Sequence, residues 1–513
     1  MVSAELVLAA VAVALLLYLV KAACSRPHNF PPGPPALPIW GSYPLLLLEN
    51  YKFPYRVLDA MTSRYKSKVI GFHFGSYSMV AACDHQSIKE VLSNPYMQGR
   101  VINVLGVVRN YHKDLGIFLS EGPQWLEQRR LTLRHMRDFG FGRRSGRLEA
   151  EIEAELRDLL ELIQGDREDE AVARLSPGGD GSRRVLLPEA LFPTFINSIL
   201  AVYTGARLPR SADETARRLG KAGIKFQRHG DTTGGFLTIH SWLSRVAPVL
   251  SGYRDGLEGS LQMRTFVEKL IEDHKNTYED GYERGFIDTY LREIKQREHT
   301  GEPTPFTSKS EQLAIILLDM FFPSATALTS AVTWALMYVA HHPSVMRRVQ
   351  QELDSVVGRG RAPTLDDRPR LPYTEATLRE VMRINTPAPI SVPHKVTEDT
   401  SLQGYSLPKG SVVITCLWSM HMDKDLWGDP ENFRPERFLD ENGQLSRKDF
   451  SLPFGAGKRL CAGETFARQN MFLAFSTLLQ SFSLTADGVP PLGCNIPGNV
   501  ETQPSFWARF EAR

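Results

Sequence analysis

The chain has 513 residues, 42% of them hydrophobic, with a formal net charge of +2. That length can bury a large core and enclose a sizeable cofactor. The near-neutral balance gives no basis for a nucleic-acid partner, and the lack of a fixed-period repeat excludes a solenoid or propeller. The five cysteines (Cys24, Cys83, Cys416, Cys461, Cys494) are odd in number and contain no CxxC pair. This argues against a disulfide framework and a zinc site, and for a reducing compartment around the main body.

At the N-terminus, Leu6 to Val20 is an uninterrupted apolar run with weakly polar flanks. It is short for a spanning helix but fits a thin bilayer such as that of the endoplasmic reticulum. A cleaved signal peptide is the alternative. Against it stand Glu5 before the run, Lys21, Arg26 and His28 after it, and the lack of an A-x-A site. Positive charge after the helix puts the following chain in the cytosol. Phe30 to Pro38 is rich in proline and reads as a stiff linker. The expected division is an anchor over 1–24, a hinge over 25–40 and one catalytic domain over 41–513.

Val69 to Cys83 is β-branched and aromatic around Gly71 and Gly75, which predicts a hairpin. From Ile88 on, helical periodicity dominates. Trp125 and Arg129 share a helix face. Glu149 to Ile163 predicts an amphipathic surface helix, Gly165 to Arg184 a polar loop, and Phe236 to Leu250 and Leu261 to Ile271 further helices. Leu313 to His341 is long and apolar, yet Asp319 and Pro323 interrupt it and Ser324, Thr326, Thr329 and Thr333 follow. A buried central helix fits this better than a second membrane span. Glu380 and Arg383, three residues apart, share a face of another helix. Lys395 to Ile414 alternates around Gly404 and Pro408, as in a small sheet. The fold class is mainly α with a small β part.

The most informative stretch is Pro453-Phe-Gly-Ala-Gly-Lys-Arg-Leu-Cys-Ala-Gly463. One cysteine sits in a glycine-rich turn just before a helical pattern, Glu464 to Leu479. The N–H groups and positive potential of a helix start favour a thiolate. Glycines let the backbone approach a flat ligand, and Arg459 suits a carboxylate. A buried structural cysteine is the ordinary alternative for such a residue.

Phe454, Gly457, Arg459, Cys461 and Gly463 fill the F-x-x-G-x-R-x-C-x-G pattern of cytochrome P-450 enzymes, which the chain resembles. Trp125-x-x-x-Arg129, Glu380-x-x-Arg383, Pro393-His394 and the run Phe433-Arg-Pro-Glu-Arg-Phe438 also match the family, in order and over nearly the whole length. The look is of microsomal animal members, arthropod ones included. The resemblance implies haem b between the long helix and the cysteine loop, with Cys461 as the iron ligand. Trp125, Arg129, His394 and Arg459 would serve the propionates. Glu380, Arg383 and Arg437 would form a buried ion network supporting the loop. Thiolate ligation favours O–O cleavage, giving an oxygen-dependent monooxygenase with electrons from NADPH through a membrane-bound flavoprotein reductase. The basic residues Arg129, Arg130, Arg134, Arg137, Lys458 and Arg459 are candidates for that docking face. An apolar, membrane-soluble substrate (lipid, steroid, isoprenoid or xenobiotic) is implied, with a pocket from Val104 to Phe118, Phe321, Phe322, Ala388 to Val392 and the segment near Val500.

One departure stands out. The family's long helix carries A-G-x-[D/E]-T-T, but here the acid position holds Thr326 and the oxygen-activating threonine is Ala327. Ala327 cannot hold a water. Ser324 shares its helix face, and Pro323 frees a carbonyl. Ser324 is therefore the expected holder of a proton-relay water, with Thr326 the other catalytic candidate. The missing pair keeps open a second class, hydroperoxide rearrangement or dehydration without external electrons. A third is a haem protein that binds lipids with little turnover.

Overall fold

The computed structural model describes residues 7–15, 26–75, 77–177, 180–229, 235–300 and 310–513. Most of the expected 1–24 anchor lies outside these residues; residues 7–15 are helical and their apolar side chains exposed. Among the described residues, one helical stretch, Glu311–His341, is long and apolar enough to cross a membrane. It is buried inside the molecule.

That stretch is the axis of the main core. It runs as Ser310–Pro323, a π-helical turn over Ser324–Leu328, and Thr329–His341. Apolar residues surround it on every side, so it lies within the core rather than on the surface. Pro323 cannot donate to the carbonyl four residues back, and the turn that follows takes up the break in the ladder. Glu464–Ser481, the helix after Cys461, packs against its second half.

Two sheets flank the helices. The first has the order β1-β2-β9-β6-β3. Its strands are β1 (Val69–Phe74), β2 (Tyr77–Ala82), β3 (Gly99–Arg100), β6 (His394–Lys395) and β9 (Val412–Thr415). β1 and β2 are antiparallel, β2 and β9 parallel, and β3 pairs with β6 so that Arg100 faces His394. A two-stranded unit, β7 (Thr400–Leu402) with β8 (Tyr405–Leu407), completes the Lys395 to Ile414 region.

The second sheet corrects the reading of Gly165 to Arg184 as a loop. The region contains β4 (Ala173–Leu175) and the start of β5 (Arg183–Leu187), joined to β11 (Phe506–Ala512) and β10 (Phe482–Thr485). The strand is masked in sequence because Arg183, a charged residue, occupies an inward position; its guanidinium reaches Glu168 at 3.1 Å. Phe236 to Leu250 also differs. It breaks into two short helices, Gly235–Ile239 and Leu243–Val246, with turns at His240 and before Pro248.

Candidate active site

Cys461 lies at the wall of a cavity of about 510 Å3. Its side chain is exposed to that cavity rather than to bulk water. The loop leading to it is held in a narrow shape. Gly455 and Gly457 have φ of +70° and +69°, and a Cβ on Gly457 would run into the Leu92 carbonyl. The Cys461 N–H donates to Phe454 O at 2.9 Å. Phe141, stacked on Phe466 at 5.2 Å, closes one side and lies against Gly463. Burial pushes the Cys461 thiol up. The Gly463 N–H, Arg129 and Arg468 pull the other way, and Glu464 adds to the rise. Bound iron would outweigh these effects, since a coordinating thiol is deprotonated outright.

Four arginines line the same cavity; Arg109 pairs with Asp319, and the other three are Arg459, Arg129 and Arg100. Arg459 donates to Gln98 O at 3.0 and 2.7 Å and to Ser120 O at 2.9 Å, and its Cζ lies 3.5 Å from the Trp125 ring centroid. Its Nη1 is buried and makes no hydrogen bond. Arg129 donates to Leu460 O. Arg100, brought in by β3, is buried and reaches Phe118 O at 3.3 Å. Among the described residues, none of the three pairs with a carboxylate. Desolvation, then Arg459 and Arg129, pushes the Arg100 guanidinium down to about 9; desolvation and Arg129 push Arg459 down to about 10. All three remain cationic at neutral pH. Arg100 carries no motif, and only its pairing with β6 reveals it.

His394 also lines the cavity and donates Nδ1–H to Met97 O at 2.6 Å. Desolvation and Arg100 depress it to about 3, so it is neutral here. Trp125 stands apart from the sequence expectation of a propionate contact. Its indole N–H goes to Ile117 O at 3.1 Å, and it supports Arg459 from outside the cavity.

Behind the cysteine loop, Glu380 accepts from Arg383 Nε at 2.7 Å and Nη2 at 2.8 Å, and from Arg437 Nε at 2.9 Å. Arg383 also donates to His421 O and Pro430 O, at 2.7 and 2.8 Å. Every one of these charges is buried and paired.

On the central helix, Pro323, Ser324 and Ala327 face the cavity. The Ser324 hydroxyl donates to Met320 O at 2.8 Å. Thr326 does not line the cavity. It is buried against Gly223 and donates to Phe322 O at 2.7 Å, which removes it from contact with anything the cavity holds. Asp319 pairs with Arg109 at 2.6 Å and accepts the N–H groups of Ile117 and Phe118 at 2.7 and 3.0 Å, fixing that loop over the cavity. Phe322 lines the cavity, but Phe321 does not; it packs behind, against Phe266.

The family model described as "Cytochrome P450" matches residues 31–500. The chain belongs to the cytochrome P-450 family. Similar proteins include "Farnesoate epoxidase" of Bombyx mori, 30% identical over 478 residues and 92% of both chains. "Cytochrome P450 2B2" of Rattus norvegicus is 32% identical over 520 residues and 99% of both. "Cytochrome P450 2J2" of Homo sapiens is 31% identical over 458 residues, covering 89% of this chain and 86% of its own.

The protein is thus a haem-thiolate monooxygenase by class, with the mainly α cytochrome P-450 fold. The family's group is thiolate-ligated haem b, with electrons from NADPH through a reductase in microsomal members. The cavity fits that group. It offers a thiol, three cations lacking anions, one of them with an unpartnered buried N–H, and small residues (Ala327, Ala331, Ala462, Gly463) where a flat ring needs close approach.

Proposed function

We propose that this cytochrome P-450 uses NADPH and dioxygen to hydroxylate or epoxidise an apolar substrate (a lipid, steroid, isoprenoid or xenobiotic). The observation that supports this best is one cavity joining the Cys461 thiol, the Arg100–Arg129–Arg459 cluster and an apolar wall. Cys461 would ligate the iron. Arg100, Arg129 and Arg459 would hold the propionates, with His394 beside them and Trp125 backing Arg459. Phe454, Gly457 and Gly463 would shape the loop, and Glu380, Arg383 and Arg437 would hold it from behind. Bound haem supplies oxygen activation and one-electron chemistry. The chain's own task is to position the substrate, limit water and deliver protons. For the last, Ser324 keeps its oxygen lone pairs for a water, since its proton is already given to Met320 O. The carbonyl of Asp319, which Pro323 leaves without its helical donor, is a second anchor for that water.

Microsomal relatives support an endoplasmic-reticulum membrane. The proposed arrangement is a single anchor over 1–24, a hinge over 25–40 and the catalytic domain 41–513 on the cytosolic side. Arg130, Arg134, Arg137 and Lys458 are exposed and available to an acidic reductase domain, a contact that added salt would weaken. The test is transfer of labelled oxygen from dioxygen into lipids, steroids, isoprenoids and xenobiotics by the protein with a microsomal reductase. Label in product only with NADPH is the expected result. Conversion of a lipid hydroperoxide without NADPH, and no label from dioxygen, would overturn it in favour of the rearranging class.

A further inference from the structure

The cavity's charged groups are accounted for. Arg100, Arg129 and Arg459 suit the propionates, and Arg109 is closed by Asp319 at 2.6 Å. One polar side chain in the wall has no such account. Gln227, the last residue of the Asp213–Gln227 helix, lines the cavity at 6% exposure. Its Oε1 is buried without a donor, and its amide nitrogen makes no hydrogen bond among the described residues. Turning the carboxamide about χ3 exchanges oxygen and nitrogen without losing any bond. One end of the carboxamide is therefore buried without a partner, which is costly, and its retention in a cavity wall calls for a hydrogen-bonding group there.

The backbone around Gln227 is firmly set. The Asn499 N–H donates to Gln227 O at 2.8 Å, and Asn499 Nδ2 lies 3.3 Å from the His229 ring nitrogen. Phe226 contacts the Phe322 ring at 4.4 Å, tying this wall to the central helix. The surroundings of Cys461 are a separate set, Phe141, Gly463 and Arg129. The wall also includes Leu105, Ile117, Phe118, Leu119, Leu318 and Val392, all apolar.

We propose that Gln227 is the head-group anchor of the substrate cavity, taking a neutral hydroxyl or carboxamide at one end of an elongated apolar molecule while the apolar remainder extends along the wall toward Cys461. This rests on the monooxygenase reading for what happens at the far end, but not for binding. No cation hydrogen-bonds Gln227, so the anchor discriminates by hydrogen bonding rather than by charge. A site built to pair a hydroxyl rejects an analogue that lacks it more strongly than an apolar slot rejects an extra methylene.

The experiment is equilibrium dialysis of the full-length haem-loaded protein with labelled 1-dodecanol, its methyl ether and dodecanoate, without NADPH. Wild type should bind the alcohol about tenfold more tightly than the ether or the carboxylate. In Gln227→Leu the alcohol preference should fall to within about twofold, with ether binding unchanged or tighter. That variant buries an apolar group of similar size and should melt no lower than wild type. Gln227→Glu should instead favour 1-dodecylamine. An alcohol-to-ether ratio near one in wild type, a ratio unchanged in Gln227→Leu, or tightest binding of dodecanoate would overturn the proposal. Head-group discrimination with no turnover under NADPH would uphold it and count against the monooxygenase reading alone.

Discussion

Two arginine clusters, one around Glu380 and one in the cavity wall, differ in completeness. Arg383 and Arg437 share the Glu380 carboxylate, and their remaining N–H groups meet backbone carbonyls. Arg100, Arg129 and Arg459 repel one another, meet carbonyls only in part, and leave Arg459 Nη1 unpartnered. The first cluster is finished by the chain itself and so contributes to folding. The second is left open by the chain, which supports its proposed role in holding the propionates. A buried charge set that balances reads as architecture, and one that does not reads as a site.

The sharpest way to break this comparison is to unbalance the closed cluster. Glu380→Gln strands the buried Arg383 guanidinium and leaves Arg437 only Asp429, at 3.2 Å, and should cost about 3–5 kcal/mol of stability. Urea denaturation of the haem-free and haem-loaded protein would measure it. A loss confined to the haem-loaded form would contradict a purely structural role.

A second test uses pH on the same cluster's neighbour. His421 is buried, accepts the Leu452 N–H at Nε2 (3.3 Å) and contacts Thr386 Oγ1 through Nδ1 (2.6 Å), which fits the neutral ring. Desolvation and Arg383 depress it to about 3. The unfolded chain then binds the extra proton first. The stability contribution is full above pH ~6.5 and is lost at about 1.4 kcal/mol per pH unit as pH falls toward ~3. His421→Gln should flatten that slope; identical slopes in urea titrations over this window would refute the assignment. His394 adds in the same direction in the haem-free protein.

The open cluster should respond in the opposite sense to the closed one. Arg100→Leu removes a repelled cation, so the haem-free protein should be as stable or slightly more so, while haem retention falls on the order of tenfold. Haem transfer to an acceptor protein would measure the second quantity. A destabilised haem-free protein would erase the distinction between the two clusters. The smallest expected effect is at Ser324, inside the same cavity. Ser324→Ala should lower product formed per NADPH by roughly threefold to tenfold with the fold intact. Unchanged coupling would transfer proton delivery to the substrate or to entering water.

The residues legible in sequence were those whose chemistry is contiguous. The cysteine loop, the Glu380–Arg383 pair and the Val69 to Cys83 hairpin depend on neighbours a few positions away. The second sheet was not legible, because Arg183 faces inward to Glu168 and so spoils the apolar alternation of β5. Helical periodicity already put Ser324, and not Thr326, on the face of Ala327. Pro323 and the π-helical turn alter the spacing, yet the structure still turns Thr326 toward Gly223 and Ser324 toward the cavity.

Sequence by itself therefore determined the family, the loop that presents Cys461 and the apolar axis of the core, since local pattern and turn chemistry carry these. Tertiary structure alone decided that Arg100 faces His394 across β3 and β6, that Trp125 serves Arg459 rather than the cavity, and that Gln227 is left unpaired in the wall. Each depends on segments far apart in the chain meeting in space, and whether a buried polar group is paired is a property of that meeting, not of the residue.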